Sequence, residues 1–124
     1  MAFEIPGKSI PVEASADLSA AQFRVMTINS SGQLVQAGVG DPIAGVLQDG
    51  PAAAGRAGQL MLDGVTKVEA GGVVAAGATV KSDASGRAIS TAAVTTQWNL
   101  GIALEGAGGA GELIAVLMNP HQAL

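Results

Sequence analysis

Turn-forming residues punctuate this chain at short intervals, and that spacing constrains the fold more than any other feature. Ser31-Gly32, Asp41-Pro42, Asp49-Gly50-Pro51, Asp63-Gly64, Gly71-Gly72, Asp83-Ala84-Ser85-Gly86 and the run 106–111 mark them. Most gaps are about 8–12 residues, room for one strand of about four to seven residues and its turn. No segment keeps a helical period over three turns. Phe23, Val25 and Thr27 alternate with Arg24 and Met26, the pattern of a half-buried strand, and Leu34–Ala37 returns across the Ser31-Gly32 turn as its hairpin mate. Further strands are expected at 41–47, 59–62, 65–69, around Val80 with 87–90 as its mate, at 99–105 and at 112–118. Asp63-Gly64 reads as a tight turn, and 73–76 as one helical turn or a tight loop. The polar stretch 91–97 carries no clear pattern. The fold class is therefore all-β, a small Gly/Ala-rich β-barrel or sandwich.

The first 21 residues differ from the rest. Pro6 and Pro11 oppose a helix or a central strand, and Phe3, Ile5, Ile10 and Val12 are spaced among small or polar residues. Residues 1–21 read as an extended N-terminal arm able to pair as an edge strand, and residues 22–124 as a single β domain.

The core available to such a domain is thin. Of 124 residues, 24 are Ala and 18 are Gly, so about a third of the chain buries a methyl group or nothing. At roughly 25 cal/mol per Å² of apolar surface, small side chains stabilise little, and lean domains commonly gain stability from oligomers or partners. The net charge is −4, and the six basic residues are scattered; with Phe3, Phe23 and Trp98 as the aromatics there is neither a basic run nor a stacking platform, which argues against nucleic acid as a partner. There is no Cys, no apolar segment of membrane-spanning length, and no signal-peptide core in the first residues. A cytoplasmic protein, or a particle assembled in a cytoplasm, is expected, with no membrane partner.

Candidate chemistry is sparse. Asp49, Asp63 and Asp83 each lie close before a turn glycine, where an Asp side chain caps the turn. Glu105 and Glu112 flank the glycine-rich connection, where they read as solvated loop ends, with a carboxylate pair as the alternative. His121 is the single His and lies among the last four residues, so neither a metal site nor a triad is expected. The run 106–111 matches G-x-G-x-x-G, yet Pro120 and the chain end leave no room for the helix and distant acid that a dinucleotide site needs. Trp98 is expected against the core, with an interface anchor as the alternative. No enzyme activity and no cofactor are expected.

One internal echo stands out. Gly45-Val46-Leu47-Gln48-Asp49-Gly50 resembles Gly101-Ile102-Ala103-Leu104-Glu105-Gly106, and each is followed by an Ala/Gly loop leading to Gly58-Gln59-Leu60 or Gly111-Glu112-Leu113. Two similar hairpins sharing one core are expected.

The order of these phrases carries a resemblance. Pro42-Ile43-Ala44-Gly45-Val46-Leu47, Gly64-Val65-Thr66-Lys67-Val68, Gly77-Ala78-Thr79-Val80-Lys81-Ser82-Asp83 and the ending Gly111-Glu112-Leu113-Ile114-Ala115-Val116-Leu117 resemble the small capsid decoration, or cement, proteins of tailed phages, over roughly residues 22–118. The resemblance implies a structural protein on the outside of a virion, bound to the major capsid protein shell as a homotrimer and stabilising the head. It also implies an N-terminal segment touching the shell or a neighbour, here Phe3, Ile5, Ile10 and Val12. Other expectations that the residues leave open are a tail- or fibre-associated virion module, and a small carrier or ligand-binding domain using Lys67 or Lys81.

Overall fold

The computed structural model describes residues 2–90 and 95–123; residues 91–94 of the patternless polar stretch lie outside them. Among the described residues there is no helix. The described residues form eleven strands: β1 (Ile5–Pro6), β2 (Ser9–Glu13), β3 (Val25–Ile28), β4 (Leu34–Gln36), β5 (Gly45–Leu47), β6 (Ala57–Met61), β7 (Gly64–Glu69), β8 (Thr79–Ser82), β9 (Ala88–Ser90), β10 (Trp98–Ala103) and β11 (Leu113–Gln122). They form two antiparallel sheets packed as a sandwich, ordered β1-β7-β11-β10-β8-β9 and β2-β6-β5-β3-β4.

The two sheets are copies of one unit. Strand pairing β2-β6-β5-β3-β4 in the first is repeated as β7-β11-β10-β8-β9 in the second, with β1 added at the edge. Registers agree residue by residue. Ser9 opposes Met61 as Val65 opposes Leu117, and Val46 opposes Met61 as Ile102 opposes Leu117. Met26 opposes Gln36 as Val80 opposes Ser90. In each unit the residue after the first strand bridges the start of the last in parallel, Ala14 to Leu34 and Ala70 to Ala88, so each sheet curls back on itself. The echo seen in the sequence is the centre of this repeat. Its two hairpins do not share a sheet, however: one lies in each.

Short polar caps set these elements. In the β3–β4 turn, Asn29 Oδ1 accepts from the N–H groups of Ser31 and Gln33 at 3.0 and 2.9 Å. In the β8–β9 turn, Asp83 Oδ1 accepts from Ser85 and Arg87 at 2.8 and 2.9 Å. Both turns close on a glycine of positive φ, Gly32 at 76° and Gly86 at 74°, where a Cβ would be strained. Asp49 Oδ1 accepts from Gln59 N–H at 3.0 Å, and Glu105 Oε1 from Ala115 N–H at 2.9 Å, so each acid after the inner strand locks the neighbouring strand's register.

Several boundaries differ from the sequence reading, each for a local reason. The expected strand at 41–47 is reduced to Gly45–Leu47, because Asp41 turns back to accept from Gly38 N–H at 2.8 Å and Pro42 has no N–H to give a ladder. Asp63-Gly64 does not close a hairpin. It carries the chain from β6 in one sheet to β7 in the other. The last strand runs on to Gln122 through Pro120, which the pairing tolerates because the β10–β11 register shifts between Asn99 and Gly101.

The interiors differ by exchange of volume. The first unit is filled by Leu18, Met26, Leu34, Leu47 and Leu60, all buried in one cluster. At the matching positions the second unit has Val74, Val80, Ala88, Ala103 and Val116, each smaller. The space is returned elsewhere: Ile114 stands where the first unit has Gly58, and Leu100 where it has Ala44. A Cβ on Gly58 would come 2.8 Å from Leu47 Cδ1 and 3.1 Å from Leu34 Cδ1, so those leucines already occupy that volume.

Candidate interaction surface

The residues of the arm are distributed along both sheet edges. Ile5 on β1 opposes Val65 of β7, and Ile10 and Val12 on β2 oppose Leu60 and Gly58 of β6. Gly7 and Lys8 carry the chain between the two sheets, held where Lys8 N–H donates to Asp63 Oδ1. Phe3, Ile5 and Ile10 are exposed, whereas Val12 is half-buried against the interior of the first unit. The structure thus divides the four arm residues, Ile5 in one sheet and Ile10 and Val12 in the other. Beyond them the same segment enters the core, for Ala14, Leu18 and Ala21 are buried.

A second apolar surface is not readable from the arm. Residues directly opposite one another share a sheet face. Ile5, Val65, Leu117, Ile102 and Thr79 therefore form one row across β1, β7, β11, β10 and β8. Ile102 and Leu117, paired at its centre, keep 45% and 44% of their surface in water. Leu113 lies on the same face of β11, four residues earlier, and Leu104 just past the end of β10; both are also exposed. The signal in the sequence was the i, i+4 pair Leu113 and Leu117 in a strand. Without the sheet order it does not say which face is covered.

The sequence candidates for chemistry stand in structural roles. Four amides of the glycine-rich run are taken up within the chain: Glu112 Oε2 accepts from Gly108 N–H and from Gly109 N–H, the latter at 2.8 Å, while Ala107 N–H donates to Val74 C=O and Gly111 N–H to Ala70 C=O, both at 2.8 Å. A phosphate there would meet a carboxylate already in the seat. Lys67 lies within β7, 3.8 Å from Glu4, and Lys81 is buried in β8, where its Nζ donates to Gln97 Oε1 at 2.6 Å. Neither stands at a hairpin tip, as a carrier lysine would. Trp98 packs half-buried against the main core. His121 is exposed and opposes Asn99 within the β10–β11 pair. Asp17, exposed at a turn, is held below its ordinary pKa by the Ser19 side chain and then by its backbone N–H. Among the described residues no three His, Cys, Asp or Glu side chains gather as a metal site would need.

The two sheets and their exposed apolar edges fit a protein that works by its surface. A family model described as phage cement protein matches residues 6–118. The chain belongs to the phage cement protein family. The match begins inside the arm, upstream of where the sequence phrases carried the resemblance. Members of this family are structural, non-enzymatic components of the phage head, and membership implies capsid binding. Among solved structures, the N base of the head fiber gp8.5 of bacteriophage phi29 is similar, with a TM-score of 0.68 at 18% identity over 98% of each chain. At that identity the likeness speaks for the fold. No curated protein matches the chain.

Proposed function

We propose that this cement protein decorates the outer surface of the major capsid protein shell, sits there as a homotrimer, and stabilises the head after assembly in the host cytoplasm. The observation that carries the reading is the exposure of Ile5 and Ile10 on the edge strands β1 and β2, and of Phe3 just ahead of β1. A free monomer gains nothing by holding large apolar side chains in water at its edges, and a surface that is covered on docking does. The arm, through Phe3, Ile5, Ile10 and Val12, contacts the shell or a neighbouring protomer. The likeness to the base of a head fiber supports a place on the head rather than the tail. Each copy binds weakly, and several copies in one assembly bind together with much greater avidity.

Cosedimentation of the purified chain with expanded heads of its phage tests this directly. Binding is expected, and the Phe3→Ser/Ile5→Ser variant is expected to bind about 10-fold more weakly or worse, since each lost contact is worth on the order of 1 kcal/mol. A chain that stays in the supernatant with expanded heads overturns the reading. Microscopy of decorated particles that finds it on the tail overturns the location.

A further inference from the structure

The repeat shows what covers one half of the molecule and leaves the other half bare. Val25, Val46 and Met61 lie on the outside of the first sheet, yet they are buried in the core cluster shared with the second unit. Their counterparts in the second unit are Thr79, Ile102 and Leu117, all exposed. The surface that receives the first unit is equally well marked. Phe23 C=O accepts from Glu69 N–H at 2.9 Å, and Val25 N–H donates to Gly86 C=O at 2.7 Å. Gln48 Nε2 donates to Thr66 Oγ1 at 2.9 Å, and Arg24 reaches Ser85 C=O at 3.3 Å. Glu69, Gly86, Thr66 and Ser85 correspond to Glu13, Gly32, Ile10 and Ser31 of the first unit. Thr66 and Gly86 are buried and Glu69 and Ser85 half-buried, while all four counterparts are exposed.

The two units are therefore joined head to tail, and each end of the molecule carries one unused half of the same contact. We infer that copies of this chain associate through it: the face of one copy bearing Ile102 and Leu117 covers the β2 edge and the 29–32 turn of the next. The occupant is a second copy of this chain because a unit of this chain is what fills the equivalent place within the molecule. Such a contact joins two different surfaces, as a closed ring of three requires, and it assigns Ile10 to a neighbouring protomer. The inference rests on the homotrimer of the proposed function and deepens it by naming the two surfaces that meet, independently of the contact with the shell.

The chain has no cysteine, which makes the test clean. Leu104 is the counterpart of Gln48, and Ile10 of Thr66. A Leu104→Cys/Ile10→Cys variant treated with a short thiol-to-thiol crosslinker is expected to give covalent dimers and trimers, free at high concentration or bound to heads. Each single-cysteine variant is expected to stay a single chain on a denaturing gel. Equal crosslinking of Leu104→Cys alone, or no product from the double variant in either state, overturns the inference. As a second measurement, Ile102→Glu/Leu117→Glu changes side chains already in water. Its spectrum should match the parent, while the concentration at which the oligomer half-dissociates should rise about 10-fold or more. An intact oligomer that has lost only head binding would give this face to the shell. The inference would then fail while the decoration reading stood.

Discussion

Gly58 and Ile114 occupy the same place in two copies of one unit, and neither tolerates the other's neighbours. Gly58 is closed in by Leu47 and Leu34, while Ile114 fills the space that Ala103 and Ala88 leave. Gly58→Ile is expected to destabilise by about 3 kcal/mol or more, or to prevent folding, because overpacking forces side chains off their rotamers. Adding Leu47→Ala and Leu34→Ala should restore part of that loss, and denaturant titration of the single and triple variants checks it. A triple variant worse than Gly58→Ile alone would show that the units do not exchange volume in this way. Gly45 and Gly101 are a different case, since a Cβ on either would run into a carbonyl oxygen of the adjacent strand, from Met61 or Leu117. At these inner strands glycine is needed for close approach and not for its turn conformation.

At the scale of elements, β2 shows how an edge is guarded. Gln59 donates its N–H to Asp49 Oδ1 and its C=O accepts from Gln48 N–H, so it faces β5, and Pro11 opposite it faces away from β6. The one residue without an N–H thus stands on the open side, where it blocks a full ladder with a stray strand. Pro11→Val should leave the fold intact but raise self-association at high concentration, measured by light scattering; an unchanged, non-aggregating variant would remove this role. The arm itself is expected to part in two. Removing residues 2–8 takes away β1 and should leave the first unit folded. Removing residues 2–20 also takes β2, Ala14 and Leu18, which lie in that unit's interior, and should unfold it. Near-ultraviolet spectra and urea midpoints of the two truncations separate these outcomes.

Over the whole molecule, the junction between units gathers ion pairs around Glu69. Glu69 lies 3.4 Å from Arg24 of the first unit and 3.7 Å from Arg87 of its own. Its counterpart Glu13 is exposed. All three side chains at the junction are only partly buried, so solvent screening limits the effect. Glu69→Gln is expected to cost about 1 kcal/mol at low salt and less at high salt, and Glu13→Gln close to nothing. Urea unfolding at two ionic strengths measures both, and equal effects would place no special weight on the junction.

Much of this was legible along the chain. The turn spacing specified an all-β fold, because Asn29, Asp83, Gly32 and Gly86 act on neighbours within a few residues and need no tertiary context. The echo of 45–50 in 101–106 gave away the middle of the repeat, but its outer strands share little sequence and were matched only by their registers. What the tertiary structure alone decided is which apolar residues are covered. Val46 and Ile102 sit at matching places in matching strands, one fully buried and the other 45% exposed. A strand alternates its side chains whatever lies beyond the sheet, so its sequence marks two faces. Only the packing of one unit on the other buries the first and leaves the second for a partner.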